Sequence, residues 1–424
     1  MRRLQASEKK NRELEAEITE LRDGEGEALA SRRLERAVSS VEAQEVTWRG
    51  LVPSGVTLSF DGMIRLDAYY DSARADNAVI PFFVLPEETT TVRSNDDQFA
   101  FDSRLTRLGL SVDAGHIGDA VVTGRIEFDF TNFVPGVQES RATPTLRLAY
   151  IDLDFGALGL RVGQDWDVIS PLQPSVHPEA ILWNAGNLGD RRPQVQVRWE
   201  SSPEGGFVFG IRASAGLTGS IANEDFDVGA SPFASSERDG FDAGIPHGQL
   251  RLSGAFDSWV DGRRGEIGVW GYLGALETDV DFGRGRHVTS WVVGFDWTLP
   301  LLAHLDFSGQ IWRGAALGDI RGGIGQSINV ATGHAISSTG GFAELRWQVS
   351  DDVSLHGGAS FDDPDSEELS AGFRDLNWTA YLGCLVDWGG GLSSGVDVFY
   401  WETQWVGLGV GNMVRVDAYV QLTF

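Results

Sequence analysis

The sequence lacks the apolar run that a membrane-spanning helix requires. A run of about 18 or more consecutive apolar residues occurs nowhere in the chain. The nearest approach is the interrupted stretch "SWVVGFDWTLPLLAHL" at 290–305. A transmembrane helix is therefore excluded, and any membrane-spanning structure must be built from β-strands.

Lysine and cysteine are almost absent, and basic residues as a whole are outnumbered. Lys9 and Lys10 are the only lysines, and the single cysteine, Cys384, excludes an internal disulfide. The 34 basic and 61 acidic residues give a formal net charge of -27. Because phosphate binding needs clustered cations, this charge argues against nucleic acid as a partner.

The first of two predicted domains, residues 1–47, has helical spacing. Its apolar residues recur at the a and d positions of a short heptad pattern, which predicts an α-helical coiled coil that self-associates. Asn11 at such a position is typical of residues that fix register and oligomer number. The predicted contact residues are Leu4, Asn11, Leu14, Ile18 and Leu21.

From about residue 56 the hydrophobic period becomes two, within a second predicted domain at 48–424. In "VTLSFDGMIRLDAYYD" at 56–71, apolar and polar residues alternate, and the pattern recurs in about sixteen segments separated by Gly-, Asp- and Pro-rich breaks. The segments at 99–113 and 264–300 break this alternation, so the predicted strand number is uncertain by about two. Alternation alone also fits a soluble β-sandwich.

Two further features favour an all-β transmembrane barrel of antiparallel strands over a sandwich. Short connections such as "SSPEGG" at 201–206 and "VSDD" at 349–352 interleave with long loops at about 71–98, 167–193, 217–247, 314–339 and 362–374. Aromatic residues concentrate at the ends of the strands, as expected for girdles at the two membrane interfaces. The predicted girdle residues are Phe99, Phe101, Phe130, Phe133, Trp199, Trp259, Trp297, Trp312, Trp388, Trp401 and Trp405.

The last stretch, "VDAYVQLTF" at 416–424, is predicted to be the closing strand of this barrel. A sheet in lipid has no water for its edge groups and must close on itself, so this strand should pair with the first. Odd-numbered residues such as Tyr419 should then face the lumen and even-numbered residues the lipid. The N-terminus begins with basic residues but has no apolar signal-peptide core. Either the true start lies upstream, the chain is a processed form, or the membrane interpretation is wrong.

Several motifs resemble the DcaP-like trimeric outer-membrane porins and, more distantly, the phosphate-selective porins. They are the heptad-bearing N-terminus, "FDSRLTRLGLSV", "LRLAYIDLDF", "LRVGQDWDVISPL" with the following "LGDRRPQVQVRW", and the terminal Phe. The resemblance implies a sixteen-stranded barrel, a homotrimer with a periplasmic coiled coil, and passive uptake of small, often anionic solutes. It also implies that Tyr419 and Phe424 belong to a carboxyl-terminal signal read by the barrel-assembly machinery.

Cations on the inner wall are the predicted solute contacts. The loop at 167–194 carries apolar residues that would be buried if it folded into the lumen, although packing outside on a neighbouring subunit is an alternative. Strand parity places most of the candidate arginines on polar faces, whereas Arg104 and Arg107 have opposite parity and require a bulge between them. The candidates are Arg65, Arg104, Arg107, Arg125, Arg161, Arg191, Arg192, Arg198, Arg212, Arg251, Arg346 and Arg415. For any single arginine, a salt bridge to a lumen carboxylate is the competing interpretation.

The sequence offers little for catalysis or for a cofactor. Seven scattered histidines contain no HxxxH pair, so neither a metal site nor a cofactor is predicted. Serine and histidine occur near each other at Ser354 and His356 and at Ser308 and His304, but such spacings arise by chance in a chain with many serines. The main hypothesis is a porin in the outer membrane of a Gram-negative-type bacterium, without a catalysed reaction. The alternatives are a tether whose N-terminal helix binds peptidoglycan or a periplasmic partner, and an outer-membrane hydrolase. The solute and the sign of ion selectivity do not follow from the sequence.

Overall fold

The computed structural model describes residues 55–87, 96–131, 142–178, 180–203, 205–221 and 239–424. Thr57–Phe424 forms one compact unit. The predicted coiled coil at 1–47, with Leu4, Asn11, Leu14, Ile18 and Leu21, lies outside the described residues, as does Phe133. In the described part of the chain, no helix is both long and apolar enough to cross a membrane.

Antiparallel strands dominate the described residues. They are β1 (Thr57–Asp71), β2 (Gln98–Asp102), β3 (Arg107–Ile117), β4 (Ala120–Asp129), β5 (Thr145–Asp154), β6 (Leu158–Trp166), β7 (Arg191–Glu200), β8 (Phe207–Gly216), β9 (His247–Asp257), β10 (Arg264–Glu277), β11 (His287–Leu302), β12 (Leu305–Ala315), β13 (Ile328–Asn329), β14 (His334–Ala335), β15 (Ser337–Gln348), β16 (Val353–Pro364), β17 (Arg374–Gly389), β18 (Leu392–Trp405) and β19 (Gly409–Thr423). Strands β13 and β14 pair only with each other. Within the described ranges, helical structure is limited to one turn of α-helix, Asp239–Asp242, and 3-10 turns at Gly318–Ile320, Gly323–Gly325 and Ser366–Glu368.

The large sheet closes into a barrel of sixteen strands, as predicted. Each strand pairs with its neighbours in sequence, and β19 returns to β1 from Met63↔Thr423 to Asp71↔Arg415. The pairing continues to Phe424, whose N–H donates to the Gly62 carbonyl at 3.0 Å while the Gly62 N–H donates to the Phe424 carbonyl at 3.1 Å. Closure therefore leaves no open sheet edge at this seam.

The predicted bulge lies between β2 and β3, which together make one strand of the barrel. Both pair with β1, through Asp67↔Asp102 and Met63↔Arg107. Three residues of β1 therefore face four residues, 103–106, and the extra residue reverses the parity of the strand. The expected break at 264–300 is wrong, because the pairing of β10 with β11 runs without a register shift from Glu266↔Thr298 to Glu277↔His287.

The two rims differ in the length of their connections. One rim has short turns at 118–119, 155–157, 201–206, 258–263, 303–304, 349–352 and 390–391, and the other has loops that reach 21 or more residues at 72–97, 167–190, 217–246 and 316–336. This asymmetry is typical of outer-membrane barrels, whose short turns face the periplasm. Phe424 lies at the short-turn rim, beside the start of β1.

The outer surface is apolar and the inner surface is polar. Side chains such as Ile64, Leu273 and Leu382 are exposed on the outside, whereas Asp417 and Tyr419 of the closing strand are buried inside. Exposed aromatic residues at the strand ends include Phe99, Phe101, Trp199, Trp259 and Trp388. Trp312 and Trp401, predicted for the girdles, are instead buried within the barrel, where their indole N–H groups donate to Gly186 and Asn377.

Candidate functional site in the barrel lumen

Residues 167–190, which we call the crossing loop, leave β6 and run through the interior to the opposite wall. The Ser175 N–H donates to Glu344 of β15 at 2.9 Å, and the His177 N–H donates to Asp397 of β18 at 2.6 Å. The predicted inward folding of this loop is what the structure shows. Its apolar side chains gain burial there, with Ile169, Val176, Leu182, Trp183, Ala185 and Leu188 all buried.

A compact turn at 181–187 lets the crossing loop lie directly on the wall. Ile181, Leu182 and Asn184 have positive φ angles, and Gly186 has a φ of 121°. A Cβ atom on Gly186 would overlap the carbonyl oxygen of Gly341 on β15. Only glycine allows so close a backbone approach with this φ angle.

A second loop, residues 316–336, supports the crossing loop from the side and is called the supporting loop. The Gly189 N–H donates to the Ile320 carbonyl at 2.9 Å, and the Arg321 guanidinium pairs with Asp190 at 2.6 Å. Leu317 and Ile320 are fully buried in a cluster that includes Leu188. The two loops therefore pack as one unit within the barrel.

Ion pairs fix both ends of the crossing loop. Arg192 lies 3.0 Å from Asp167 and 3.2 Å from Asp319. Burial raises the pKa of Asp167 despite the neighbouring guanidinium. Burial would also raise the pKa of Asp190, but Arg321 and Arg192 outweigh it and hold that pKa below its usual range. The Asp190–Arg321 pair is therefore stabilising at neutral pH and is lost only when the pH falls below the ordinary aspartate range.

The described part of the first long loop, residues 72–87, lies against the inner wall at β17 to β19. The Val84 N–H donates to Thr403 at 2.9 Å, and the Trp405 indole donates to the Val84 carbonyl at 3.1 Å. Val84 packs with Ala185 of the crossing loop and Met413 of β19. These contacts hold Val84 between the inner wall and the crossing loop.

Most of the predicted arginines lie on the inner wall and are paired with carboxylates. Nine of the twelve have a carboxylate partner among the described residues. The pairs are Arg65–Asp67, Arg104–Asp102, Arg107–Glu127, Arg125–Asp61, Arg161–Asp152, Arg192–Asp167, Arg198–Asp152, Arg251–Asp296 and Arg415–Asp71. Arg191 lies over the ring of Trp166, 4.7 Å from its centroid. The competing interpretation of lumen salt bridges therefore describes most of these residues.

Arg147 is a lumen arginine that sequence parity misses. It is buried and lies 3.0 Å from Glu127 and 2.6 Å from Asp129. A register shift between Leu146 and Leu148 makes Arg147 the extra residue of a bulge and turns it inward. A parity argument that assumes a regular strand places this side chain on the lipid face.

Arg212 stands apart because it lies between two paired arginines. Arg198 of β7, Arg212 of β8 and Arg251 of β9 are directly opposite one another in the sheet. Arg198 and Arg251 have carboxylate partners, whereas no carboxylate of the described residues lies within ion-pair distance of Arg212. Like charges directly opposite on neighbouring strands are destabilising. Arg346 likewise has no carboxylate partner in the described part of the chain.

Arg212 lines a cavity of about 250 Å³ beside the crossing loop. Arg161, Asp165 and Gln196 contribute from the wall, and Asp167, Ser170 and Gln173 from the loop. The cavity lining therefore has cationic, acidic and amide groups on the wall, and acidic, hydroxyl and amide groups on the loop. Such an arrangement can contact a small hydrophilic solute on two sides.

The structure brings together no hydrolase triad among the residues that it describes. His356 faces Asp397 rather than a serine, with 2.8 Å between Nε2 and the carboxylate. The hydroxyls of Ser354 and Ser308 form no hydrogen bond to a histidine ring in the described part of the chain. The hydrolase hypothesis therefore gains no support from the geometry.

The fold is that of outer-membrane channels and porins. No protein-family model matches the chain, and no curated protein matches it significantly. Among solved structures, the outer membrane channel DcaP of Acinetobacter baumannii is similar with a TM-score of 0.69 and 15% identity, over 88% of this chain and 99% of that one. An anion-selective porin from Comamonas acidovorans is similar with a TM-score of 0.54 and 12% identity, over 87% of this chain and 100% of the porin. The trimer form of OmpT, an outer membrane protein of Vibrio cholerae, is similar with a TM-score of 0.50 and 11% identity, over 88% and 100% of the two chains. The resemblance seen in the sequence motifs thus extends to the whole barrel fold.

Proposed function

We propose that this protein is an outer-membrane porin through which small hydrophilic solutes diffuse passively, with a preference for anions. Arg212 carries the proposal, because it is a lumen cation beside the crossing loop with no carboxylate partner among the described residues. The paired arginines contribute bidentate contacts and a transverse field but little net charge. The proposal includes no catalysed reaction.

The placement of Arg212 supports a functional role more than a structural one. Neighbouring arginines on both sides make its position electrostatically unfavourable. A residue that lowers stability without a structural partner is expected where a ligand benefits from it. A carboxylate or another small anion in the cavity would relieve the repulsion between Arg198, Arg212 and Arg251.

Replacing Arg212 with glutamine should lower the preference for anions. Removing one charge about 5 Å from a passing ion in water changes its energy by about 0.8 kcal/mol, which corresponds to about a fourfold change in relative permeability. The measurement is the reversal potential of the protein in a planar bilayer under a KCl gradient. Arg212→Glu should shift the reversal potential further in the same direction.

Arg284→Gln is the matched control, because it removes the same charge from an exposed loop at 278–286. Its reversal potential should equal that of the unmodified protein. An unchanged potential in Arg212→Gln, or an equal shift in Arg284→Gln, would contradict the assignment of selectivity to the lumen.

We also propose that three copies assemble in the outer-membrane lipid, with residues 1–47 as a periplasmic trimerising segment. The heptad pattern of Leu4, Leu14, Ile18 and Leu21 supports this proposal. The barrel itself, inserted by the barrel-assembly machinery, supplies the pore. In the tether alternative, the same segment binds peptidoglycan and the barrel is an anchor.

Deleting residues 1–47 should weaken the trimer and leave the conductance of a single pore unchanged. Because the described lumen lies wholly within Thr57–Phe424, the deletion removes none of its side chains. Native electrophoresis and single-channel recording would give the two results. Loss of attachment to peptidoglycan sacculi with the oligomer intact would favour the tether instead.

A further inference from the structure

Two histidines and a buried aspartate meet where the crossing loop touches the far wall. His177 belongs to the crossing loop, His356 to β16 and Asp397 to β18. The Nδ1 atom of His177 lies 2.8 Å from one carboxylate oxygen of Asp397, and the Nε2 atom of His356 lies 2.8 Å from the other. All three side chains offer a donor atom within 4.8 Å of the others.

The register of the sheet leaves room for this cluster. His356 is opposite Gly383 of β17, and Gly383 is opposite Asp397, so the two side chains stand on strands about 10 Å apart. They meet across Gly383, where a Cβ atom would overlap both His356 Nε2 and the Asp397 carboxylate. A glycine at this position is therefore required for the contact.

Asp397 is a buried carboxylate without a guanidinium partner. Its side chain is fully buried, and within the described ranges its ion-pair contacts are the two histidines alone. The Nδ1 atom of His177 is buried, and its short contact with Asp397 does not have the geometry of a hydrogen bond. A buried charge is costly unless a counter-charge and ligands satisfy it, and a metal cation would supply the missing charge.

Charges of both signs surround the cluster without neutralising it. Arg65 donates to the His177 carbonyl at 3.0 Å, and its charge is balanced by Asp67. Arg346 is opposite His356 in the sheet. Asp417 is opposite Asp397 and lies 3.7 Å from Arg415. Glu344 accepts hydrogen bonds from Ser175 and Tyr381. Arg415 is shared with Asp71, its closer partner at 3.1 Å. Counting the Arg65–Asp67 and Arg415–Asp71 pairs as neutral therefore leaves Asp417, Glu344 and Asp397 against Arg346.

We propose that His177, His356 and Asp397 bind a divalent transition-metal ion, with Zn²⁺ as the ion to test. Two imidazole nitrogens and one carboxylate are a ligand set that zinc accepts, and the lumen can supply water at a fourth position. Bond lengths of about 2.0–2.1 Å in a tetrahedral site separate ligand atoms by about 3.3 Å. This separation lies between the 2.8 Å histidine–carboxylate contacts and the 4.8 Å within which all three ligand atoms lie. The ion would fix the crossing loop to the wall. This proposal concerns binding and does not depend on the proposed solute selectivity.

The test is a titration of the purified, metal-stripped full chain in detergent with Zn²⁺, followed by calorimetry. We expect one ion per chain at the cluster. His177→Gln and His356→Gln should each weaken binding by at least about tenfold, since each removes a ligand. Titration with Co²⁺ provides a second signal, because ligation at the cluster should produce visible absorption that the same two variants lose.

Two further variants separate ligation from damage to the barrel. His287→Gln alters a histidine that is exposed at the loop rim and should bind like the unmodified protein. Gly383→Ala keeps all three ligands and should weaken binding because its methyl group occupies their meeting point. His177 lies on a loop, so His177→Gln should retain the heat-resistant barrel on electrophoresis. Equal affinity in His177→Gln, His356→Gln and the unmodified protein would overturn the proposal, as would no binding by the folded barrel.

Discussion

Deletion of Phe424 should reduce the membrane-inserted, folded fraction of the protein by at least about tenfold. Two backbone groups of Gly62 lose their hydrogen-bond partners, and each unsatisfied group costs about 1–3 kcal/mol of folding free energy. Both hydrogen bonds between Phe424 and Gly62 lie at the seam where β19 returns to β1. In a lipid-facing sheet, water cannot replace them fully. The measurement is the heat-modifiable fraction in isolated outer membranes.

The side chain and the backbone of Phe424 can be tested separately. Phe424→Ala keeps the seam hydrogen bonds but removes the ring that the resemblance assigns to the assembly signal. If that machinery reads the ring, Phe424→Ala should fail in cells and still refold in detergent. Phe155→Ala is the matched control, since Phe155 is also exposed at the short-turn rim. Equal loss in Phe155→Ala would show that any rim aromatic has this effect.

Molecules of the deletion variant that do insert should keep their conductance. Phe424 is exposed on the outer face, whereas the lumen at this seam is lined by Tyr419 and Asp417. A changed conductance would mean that the seam affects the shape of the lumen. It would also contradict the separation between assembly and permeation that the register implies.

Strand parity predicted the barrel well because a sheet between lipid and water has only two faces. The closing strand at 416–424 has its odd-numbered residues inside, as its alternation indicated. The opposite parities of Arg104 and Arg107 also required the bulge that the structure places at 103–106. In each case the physical constraint acts within one strand or between two adjacent segments.

Features that depend on several strands or on loops could not be predicted from strand parity. Trp312 and Trp401 were predicted at the interfaces, but they face inward, where the crossing loop offers a carbonyl partner and β17 an amide partner. Arg147 turns inward through a bulge that has no marker such as glycine. The histidine cluster needs the register of β16, β17 and β18 together with the path of the crossing loop, and no spacing in the sequence contains that information.

The second large effect is expected on single-channel conductance, when the crossing loop is moved away from the barrel wall. Gly186→Val should raise single-channel conductance about twofold or more, because conduction through a constriction depends on its width. The valine side chain would overlap the Gly341 carbonyl and would also strain a residue whose φ angle is 121°. The turn at 181–187 must then leave the wall, which also breaks the hydrogen bond from Trp312 to the Gly186 carbonyl.

Gly372→Val is the control that separates steric overlap with a neighbouring strand from backbone strain. Gly372 also has a positive φ angle, 86°, but nothing lies within 4 Å of a Cβ atom added there. It should lower stability slightly and leave conductance unchanged. If both variants conduct like the unmodified protein while Gly186→Val remains folded, the crossing loop does not limit the pore. If only Gly186→Val conducts more, the close approach of this loop to β15 sets the width of the pore, and the supporting loop and its ion pairs act by holding it there.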